Sequence, residues 1–138
     1  MSAVLNPYLT FKGNAKEAME FYHSILDGEL KVTTMGEGAA DHTTEDEKDL
    51  IMHSVIENGP LTIMASDGTK DHPVTMGDNM SMSLSDDDAL TKYFNGLSEG
   101  GKVNMPLSKA PWGDTFGMFQ DKFGINWLVN ISAGESAK

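Results

Sequence analysis

The stretch Phe21-Tyr-His-Ser-Ile-Leu-Asp-Gly28 returns in altered form 72 residues later as Tyr93-Phe-Asn-Gly-Leu-Ser-Glu-Gly100. An aromatic pair opens both stretches and a glycine closes both. A shift of 71 residues likewise places Lys31-Val32 on Lys102-Val103. The elements predicted around both stretches follow one order: strand, helix, strand, strand, strand. The sequence therefore predicts two copies of a βαβββ module.

The clearest helix predicted in the first copy spans residues 15–26, where apolar side chains recur at the spacing of one helix face. Asn14 precedes it as the predicted N-cap, with Glu17 at the capping-box position three residues later. Gly28 follows as a C-terminal glycine. Residues 30–35, 50–57 and 61–66 are predicted strands, and residues 36–49 a polar, acidic loop.

In the second copy, residues 80–84 are a predicted strand, and Ser85 or Asp86 is predicted to cap a helix that ends near Glu99. Further strands are predicted over residues 114–120 and 124–131. Apolar residues alternate along the last strand, so one face should pack on a helix and the other should face away from it. The apolar set is Ile125, Trp127, Val129 and Ile131, and the opposite set is Asn126, Leu128 and Asn130.

Length and composition limit the function classes. The chain has 138 residues, the size of one domain, which we divide into a first module over about residues 5–66, a linker over 67–79 and a second module over about 80–131. Its net charge of −11 disfavours nucleic acid and anionic membranes as partners. Cysteine is absent, which excludes disulfides and thiolate chemistry. Neither a signal peptide nor a spanning segment is apparent, and we expect a cytoplasmic protein.

Several motifs resemble PhnB-like proteins of the vicinal oxygen chelate superfamily, which includes glyoxalase I, bleomycin-resistance proteins and extradiol dioxygenases. These motifs run from the Asn6-Pro-Tyr-Leu-Thr-Phe11 stretch, through Met52-His53 and Ile63-Met-Ala-Ser-Asp67, to Ala110-Pro-Trp-Gly-Asp114 and Asp121-Lys-Phe-Gly-Ile-Asn-Trp127. The resemblance covers nearly the whole chain. It implies an α+β fold in which two paired βαβββ modules form a curved, cup-shaped mixed sheet with the helices on its convex side.

Enzymes of this superfamily usually hold a divalent metal through His or Glu on the first and last strand of each module. The resemblance places these positions at Pro7, near Ile63 or Met64, near Ser81, and at Leu128. Proline and leucine side chains have no donor atom, and a serine hydroxyl is a poor sole ligand. We therefore expect no metal at this site and no cofactor. The acidic residues of the loop and the linker match no calcium or zinc spacing and favour solvated loops.

Candidate ligand-binding residues come from both modules. His53 lies in an otherwise apolar strand. It either acts as a general base or hydrogen-bonds a substrate, or it is a partly buried histidine satisfied by a backbone or side-chain partner. Trp112 lies at a turn, where it either covers a ligand or packs on a neighbouring module. Phe116 or Phe119 lines the cup, depending on the strand face. The full set that we expect to contact a ligand is His53, Met64, Ser81, Trp112, Phe119, Asn126 and Leu128.

The function that we expect from these features is metal-independent binding of a small molecule, apolar or aromatic, as in bleomycin-resistance proteins. The alternative is a metal-dependent lyase, isomerase or dioxygenase with a non-standard site, or with His53 as its base. A methyltransferase, the name given to some relatives, would normally require a nucleotide-binding βαβ unit, which the sequence does not predict. Superfamily members often pair, so we expect a homodimer.

Overall fold

The computed structural model describes residues 3–86 and 89–132. Residue contacts divide the chain into two compact units, Met1–Met76 and Gly77–Lys138, which we call module one and module two. None of the helices within the described ranges is long and apolar enough to cross a bilayer.

Module one contains a four-stranded mixed sheet in the order β1-β4-β3-β2. Strand β1 runs parallel to β4, and the other neighbours are antiparallel. In chain order the elements are β1 (Tyr8–Phe11), α1 (Ala15–Leu26), β2 (Glu29–Thr34), the single turn α2 (Met35–Gly38), β3 (Ile51–Asn58) and β4 (Leu61–Asp67).

Module two repeats this arrangement with the order β5-β8-β7-β6, in which β5 and β8 are parallel. Its elements are β5 (Ser81–Asp86), α3 (Ala89–Leu97), β6 (Lys102–Lys109), β7 (Thr115–Gln120) and β8 (Asn126–Ile131). The α+β class, the mixed sheets and the repeated βαβββ order are confirmed. The cup-shaped pairing of the modules and the predicted module boundaries stay predictions.

Each module buries its helix against one face of its own sheet. In module one, the predicted stripe of α1 is buried and contacts β2, β3 and β4. In module two, Trp127 and Val129 of β8 are buried, as the alternation predicts, and α3 packs on this face. Burying these apolar side chains supplies most of the stability of each module, at about 25 cal/mol per Å² removed from water.

The prediction that the Asn14 side chain caps helix α1 is wrong. Helix α1 does span residues 15–26, but the Asn14 side chain makes no capping hydrogen bond. Instead Oδ1 of Asp67, from the end of β4, accepts hydrogen bonds from the backbone N–H groups of Gly13 (3.0 Å) and Ala15 (2.9 Å). A carboxylate at this end of a helix satisfies free donors and complements the helix dipole. Because Asp67 is distant in sequence, a local capping pattern could not reveal it.

Three other boundaries differ from prediction. Ser85 and Asp86 belong to strand β5 rather than to a helix cap, and α3 begins at Ala89. The residues just before α3, at 87–88, lie outside the described residues. Met80 precedes β5 and is 78% exposed. The predicted acidic loop starts with helix α2, which is capped at its N-terminus by a capping box between Thr34 and Glu37.

Candidate functional site

Module two has one sheet face that lies away from α3, which we call the open face. Directly paired residues on neighbouring strands point to the same side of a sheet, so they form rows across it. Three such rows cross the open face, and we name them by their chemistry. The polar row is Ser81, Asn126, Gln120 and Lys102; the apolar row is Ser83, Leu128, Met118 and Met105; the aromatic row is Ser85, Asn130, Phe116 and Ser108.

The polar row borders a recess of about 350 Å³. The Gln120 amide donates to Oδ1 of Asn126 (3.3 Å), and the Asn126 amide donates to the backbone carbonyl of Asp78 (2.8 Å). These bonds fix the Asn126 side chain. Lys102 is exposed and forms no ion pair with another described residue. The recess therefore presents an oriented amide pair beside an available ammonium group.

The apolar row separates this recess from the aromatic row. Leu128 and Met118 are half-buried, and Met105 on the edge strand β6 is 44% exposed. Methionine and leucine offer no strong hydrogen-bonding group, and methionine adapts its shape to what it contacts. This middle part of the open face favours contact with hydrocarbon.

A second recess, of about 180 Å³, lies at the aromatic row and is bordered by Trp112 and Phe116. The two rings meet edge to face, with centroids 5.4 Å apart. Although Trp112 is 57% exposed, its Nε1 donates to Oδ1 of Asn130 (3.2 Å), and the Asn130 amide donates to Oδ2 of Asp114 (2.9 Å). An exposed indole is thus held in one orientation by a two-step hydrogen-bond chain. We call this space the tryptophan recess.

In module one, the candidate residues lie on the sheet face away from α1. His53 is exposed, and its Nδ1 lies 3.2 Å from the hydroxyl of Tyr8. Tyr8 is paired with Met64 in the register of β1 and β4, and Met64 is half-buried. His53 therefore has a side-chain partner, whose identity the sequence did not indicate because the two residues are 45 positions apart.

The superfamily metal does not fit the residues at the expected positions. Pro7 offers only its backbone carbonyl, which accepts a hydrogen bond from the Met64 N–H group. Leu128 has no donor atom, and Ser81 belongs to the polar row. Across residues 3–86 and 89–132, no three His, Asp or Glu side chains lie close enough together to hold an ion. No chemical step is therefore assigned to a metal at this position.

The acidic loop of module one is held by ion pairs. Lys48 bonds Glu45 at 2.6 Å, and Lys70 bonds Asp46. The hydrogen bond from Lys70, with a second one from Thr44, lowers the pKa of the Asp46 carboxyl from 3.8 to about 2, and the same pair raises the pKa of Lys70. These groups are solvent-exposed, as expected for a solvated loop.

The seven predicted site residues fall in four places. Ser81, Asn126 and Leu128 lie together on the open face of module two, Trp112 borders the tryptophan recess, and His53 and Met64 lie in module one. Phe119 requires a correction. Although it adjoins the 350 Å³ recess, it is fully buried and its ring packs edge to face on Phe94 of α3, because its register partner Trp127 faces the helix.

Sequence reasoning missed Gln120, Met118 and Met105 as members of the open face, and it did not indicate that Asn130 and Asp114 position Trp112. Alternation along β8 already grouped Asn126, Leu128 and Asn130, but the register that sets Gln120, Met118 and Phe116 beside them is a tertiary property.

Comparison with known proteins places the chain in a family. A protein of Pseudomonas aeruginosa, PA1353, has a crystal structure that is 39% identical in sequence, covers 95% of this chain and 98% of its own, and superimposes with a TM-score of 0.85. The Bacillus cereus protein described as a putative 3-demethylubiquinone-9 3-methyltransferase, PhnB protein, is 24% identical over 94% of this chain and 100% of its own, with a TM-score of 0.75. Protein YjdN of Escherichia coli K12 is 27% identical over 92% of this chain and 94% of its own.

The fold extends to more distant proteins. A member of the glyoxalase/bleomycin resistance protein/dioxygenase superfamily from Sphaerobacter thermophilus is 15% identical over 96% of this chain and all of its own, with a TM-score of 0.58. That likeness concerns the fold. The family model described as 3-demethylubiquinone-9 3-methyltransferase matches residues 3–130, nearly the whole chain. The chain therefore belongs to this PhnB-like family and has the glyoxalase/bleomycin resistance fold.

Proposed function

We propose that this protein binds a small molecule without a metal ion, and that the open face of module two is the binding surface. The observation that carries the proposal is the arrangement of polar, apolar and aromatic rows across β5, β8, β7 and β6. Binding sites for small molecules combine apolar walls with a few oriented polar groups. The two recesses, one on either side of the apolar row, supply both.

The ligand that we expect has an apolar or aromatic part. Leu128, Met118 and Met105 supply an apolar strip, and Trp112 with Phe116 supplies aromatic walls. Large aromatic side chains contribute contact area with little loss of conformational freedom, which favours their use as anchors.

The direct test is a titration with the apolar dye anilinonaphthalene sulfonate, followed by dye fluorescence and by amide NMR. We expect shifts at open-face residues, unchanged binding in the presence of a chelator, and a several-fold weaker Kd for Met118→Gln. Met76→Gln, at an exposed methionine of module one, is the matched control. Absence of shifts on the open face would refute the proposal, as would binding that a chelator abolishes and added Zn²⁺, Mn²⁺ or Ni²⁺ restores.

The family description names a methyltransferase, but the geometry favours binding. Each module has the element order β-α-β-β-β, with its four strands in one sheet. Among the described residues, neither recess of the open face is bordered by a glycine-rich loop that opens a helix, the usual cradle of a nucleotide-containing cofactor.

One observation favours a second candidate function, an enzyme that uses His53 as a base. The Tyr8 hydroxyl lies 3.2 Å from Nδ1. In the tautomer in which Nδ1–H donates to the Tyr8 oxygen, Nε2 is unprotonated and can accept a proton. The test is a panel of lyase and isomerase substrates with His53→Gln and Tyr8→Phe variants. Turnover that both variants reduce would favour the enzyme, and turnover unaffected by them would exclude His53.

We also propose that the protein forms a homodimer. Val103 is 44% exposed on β6, which is an edge strand of its sheet. Exposed apolar residues on an edge strand are commonly covered by a partner. Light scattering at micromolar concentration should give twice the 15.0 kDa chain mass, and a value of one chain mass would contradict the proposal.

A further inference from the structure

We infer that the ligand is an elongated amphiphile, with a planar aromatic ring in the tryptophan recess, an apolar linker across the apolar row and a carboxylate beside Lys102. This inference rests on the proposed function, because it specifies the ligand class of the same open face. Three separate features of the face carry it: a preorganised ring site, a fixed spacing, and an available cation.

The ring site is built before any ligand arrives. Asn130 accepts from the Trp112 indole through Oδ1 and donates to Asp114 through its amide, so both ends of this amide are used in positioning. Such a chain restrains a 57%-exposed indole that solvent alone would leave free to rotate. A restrained aromatic wall reduces the entropy cost of binding, which is the effect of preorganisation. The recess of about 180 Å³ suits a single ring.

The spacing follows from strand geometry. Asn126 in the polar row and Asn130 in the aromatic row are four residues apart on β8, which corresponds to about 13 Å along the strand. Between them lie Leu128 and its partner Met118, which offer apolar contact and no strong hydrogen-bonding group. A compact ligand would occupy one recess, whereas a ligand with a linker of several methylene groups contacts all three rows.

The polar row determines the charge that we expect at the end of the ligand opposite its ring. Lys102 is paired with Gln120 in the register of β6 and β7, so its ammonium group is carried by the open face itself. The Gln120 amide is engaged with Asn126, whereas Lys102 has no carboxylate partner within the described ranges. Asp78 also borders the recess, and its backbone carbonyl holds the Asn126 amide. A carboxylate fits here because a charge-assisted hydrogen bond is stronger than a neutral one.

The test compares four probes by amide NMR titration: phenylhexanoate, which has all three parts; hexanoate, which lacks the ring; phenylacetate, which lacks the linker; and phenylhexanol, which lacks the charge. We expect phenylhexanoate to bind about tenfold more tightly than each of the others, equivalent to about 1.4 kcal/mol. Trp112→Leu should remove the advantage over hexanoate, and Asn130→Leu should reduce it. Lys102→Gln should weaken phenylhexanoate but not phenylhexanol.

Two control variants separate specific from general effects. Lys92→Gln changes the net charge equally from α3, and Tyr93→Leu removes a half-buried aromatic ring from the same helix. Neither should alter the ranking of the probes. The inference is overturned if phenylacetate or hexanoate binds as tightly as phenylhexanoate, if Lys102→Gln weakens the alcohol equally, or if none of the four probes shifts open-face amides. The dye titration tests the proposed function by itself: the proposed function is refuted if anilinonaphthalene sulfonate also leaves the open-face amides unshifted.

Discussion

The indole Nε1 of Trp127 donates a hydrogen bond to Oδ2 of Asp121 over 2.8 Å, inside the core of module two. The other oxygen of this carboxylate, Oδ1, accepts from the backbone N–H groups of Phe123 (2.8 Å) and Ile125 (3.1 Å). Asp121 is 3% exposed, so one buried carboxylate shapes the turn between β7 and β8 and fixes the largest side chain of the core.

We expect Asp121→Asn to destabilise the protein, because the amide loses the negative charge and can accept through only one of its two terminal atoms. A buried hydrogen bond to a charged group contributes about 1.5–3 kcal/mol, so the loss in free energy of unfolding should be of that order. Urea unfolding followed by circular dichroism measures it. Asp49→Asn, at an exposed carboxylate, should change the stability little; equal effects of the two substitutions would contradict the role given to Asp121.

Two glycines with positive φ offer a matched comparison. At Gly28 (φ +89°), a Cβ atom would lie 2.4 Å from the carbonyl oxygen of Glu57, whereas at Gly59 (φ +59°) it would meet nothing within 4 Å. Both alanine substitutions carry the cost of a left-handed backbone, about 1–2 kcal/mol, but only Gly28→Ala adds a clash with the backbone. Thermal and urea unfolding should show Gly28→Ala to be less stable than Gly59→Ala by at least about 1 kcal/mol. Equal losses of stability in the two variants would contradict this prediction and would mean that the backbone at Glu57 shifts to relieve the clash.

The ion pair between Asp46 and Lys70 predicts a specific acid dependence. The hydrogen bond from Lys70, with a second one from Thr44, lowers the pKa of the Asp46 carboxyl from 3.8 to about 2. Any stabilisation by these bonds is therefore complete above the ordinary pKa of 3.8 and is lost as the pH falls through about 2. An NMR titration of the carboxyl carbon should show this low pKa in the parent protein. In Lys70→Met the pKa should rise towards 3.8, with part of the depression retained by the Thr44 hydroxyl. Lys31→Met, at a different ion pair, should leave the Asp46 pKa unchanged.

Helix α1 and the alternation along β8 could be predicted because they are properties of neighbouring residues. Helix α1 spans the predicted residues 15–26, and β8 buries Trp127 and Val129 as its pattern requires. The error at the start of α1 concerns a partner that is distant along the chain. The cap of α1 comes from Asp67, and no local pattern shows that a carboxylate at the end of a strand will meet a helix start.

The candidate site could be predicted less well for the same reason. The residue types on β8 indicated which side chains share a face, but the rows exist only because β7 pairs with β8 in one register. If that register differed by one residue, side chains that now face the core would take the places of Phe116 and Met118 on the open face. Phe119 illustrates this sensitivity, since its side chain belongs to the core, three positions along β7 from Phe116.

The carboxylate of Asp67 also has a consequence for local opening of module one. Its two oxygens bind Gly13 and Ala15 at the start of α1, and Ile51 at the start of β3 (2.8 Å). The start of helix α1 and the start of strand β3 are therefore held by the same carboxylate. We expect these two segments to open together as one cooperative unit. In native-state hydrogen exchange, the amide protons of these three residues should respond in parallel to low urea, and Asp67→Asn should increase the exchange rate of all three.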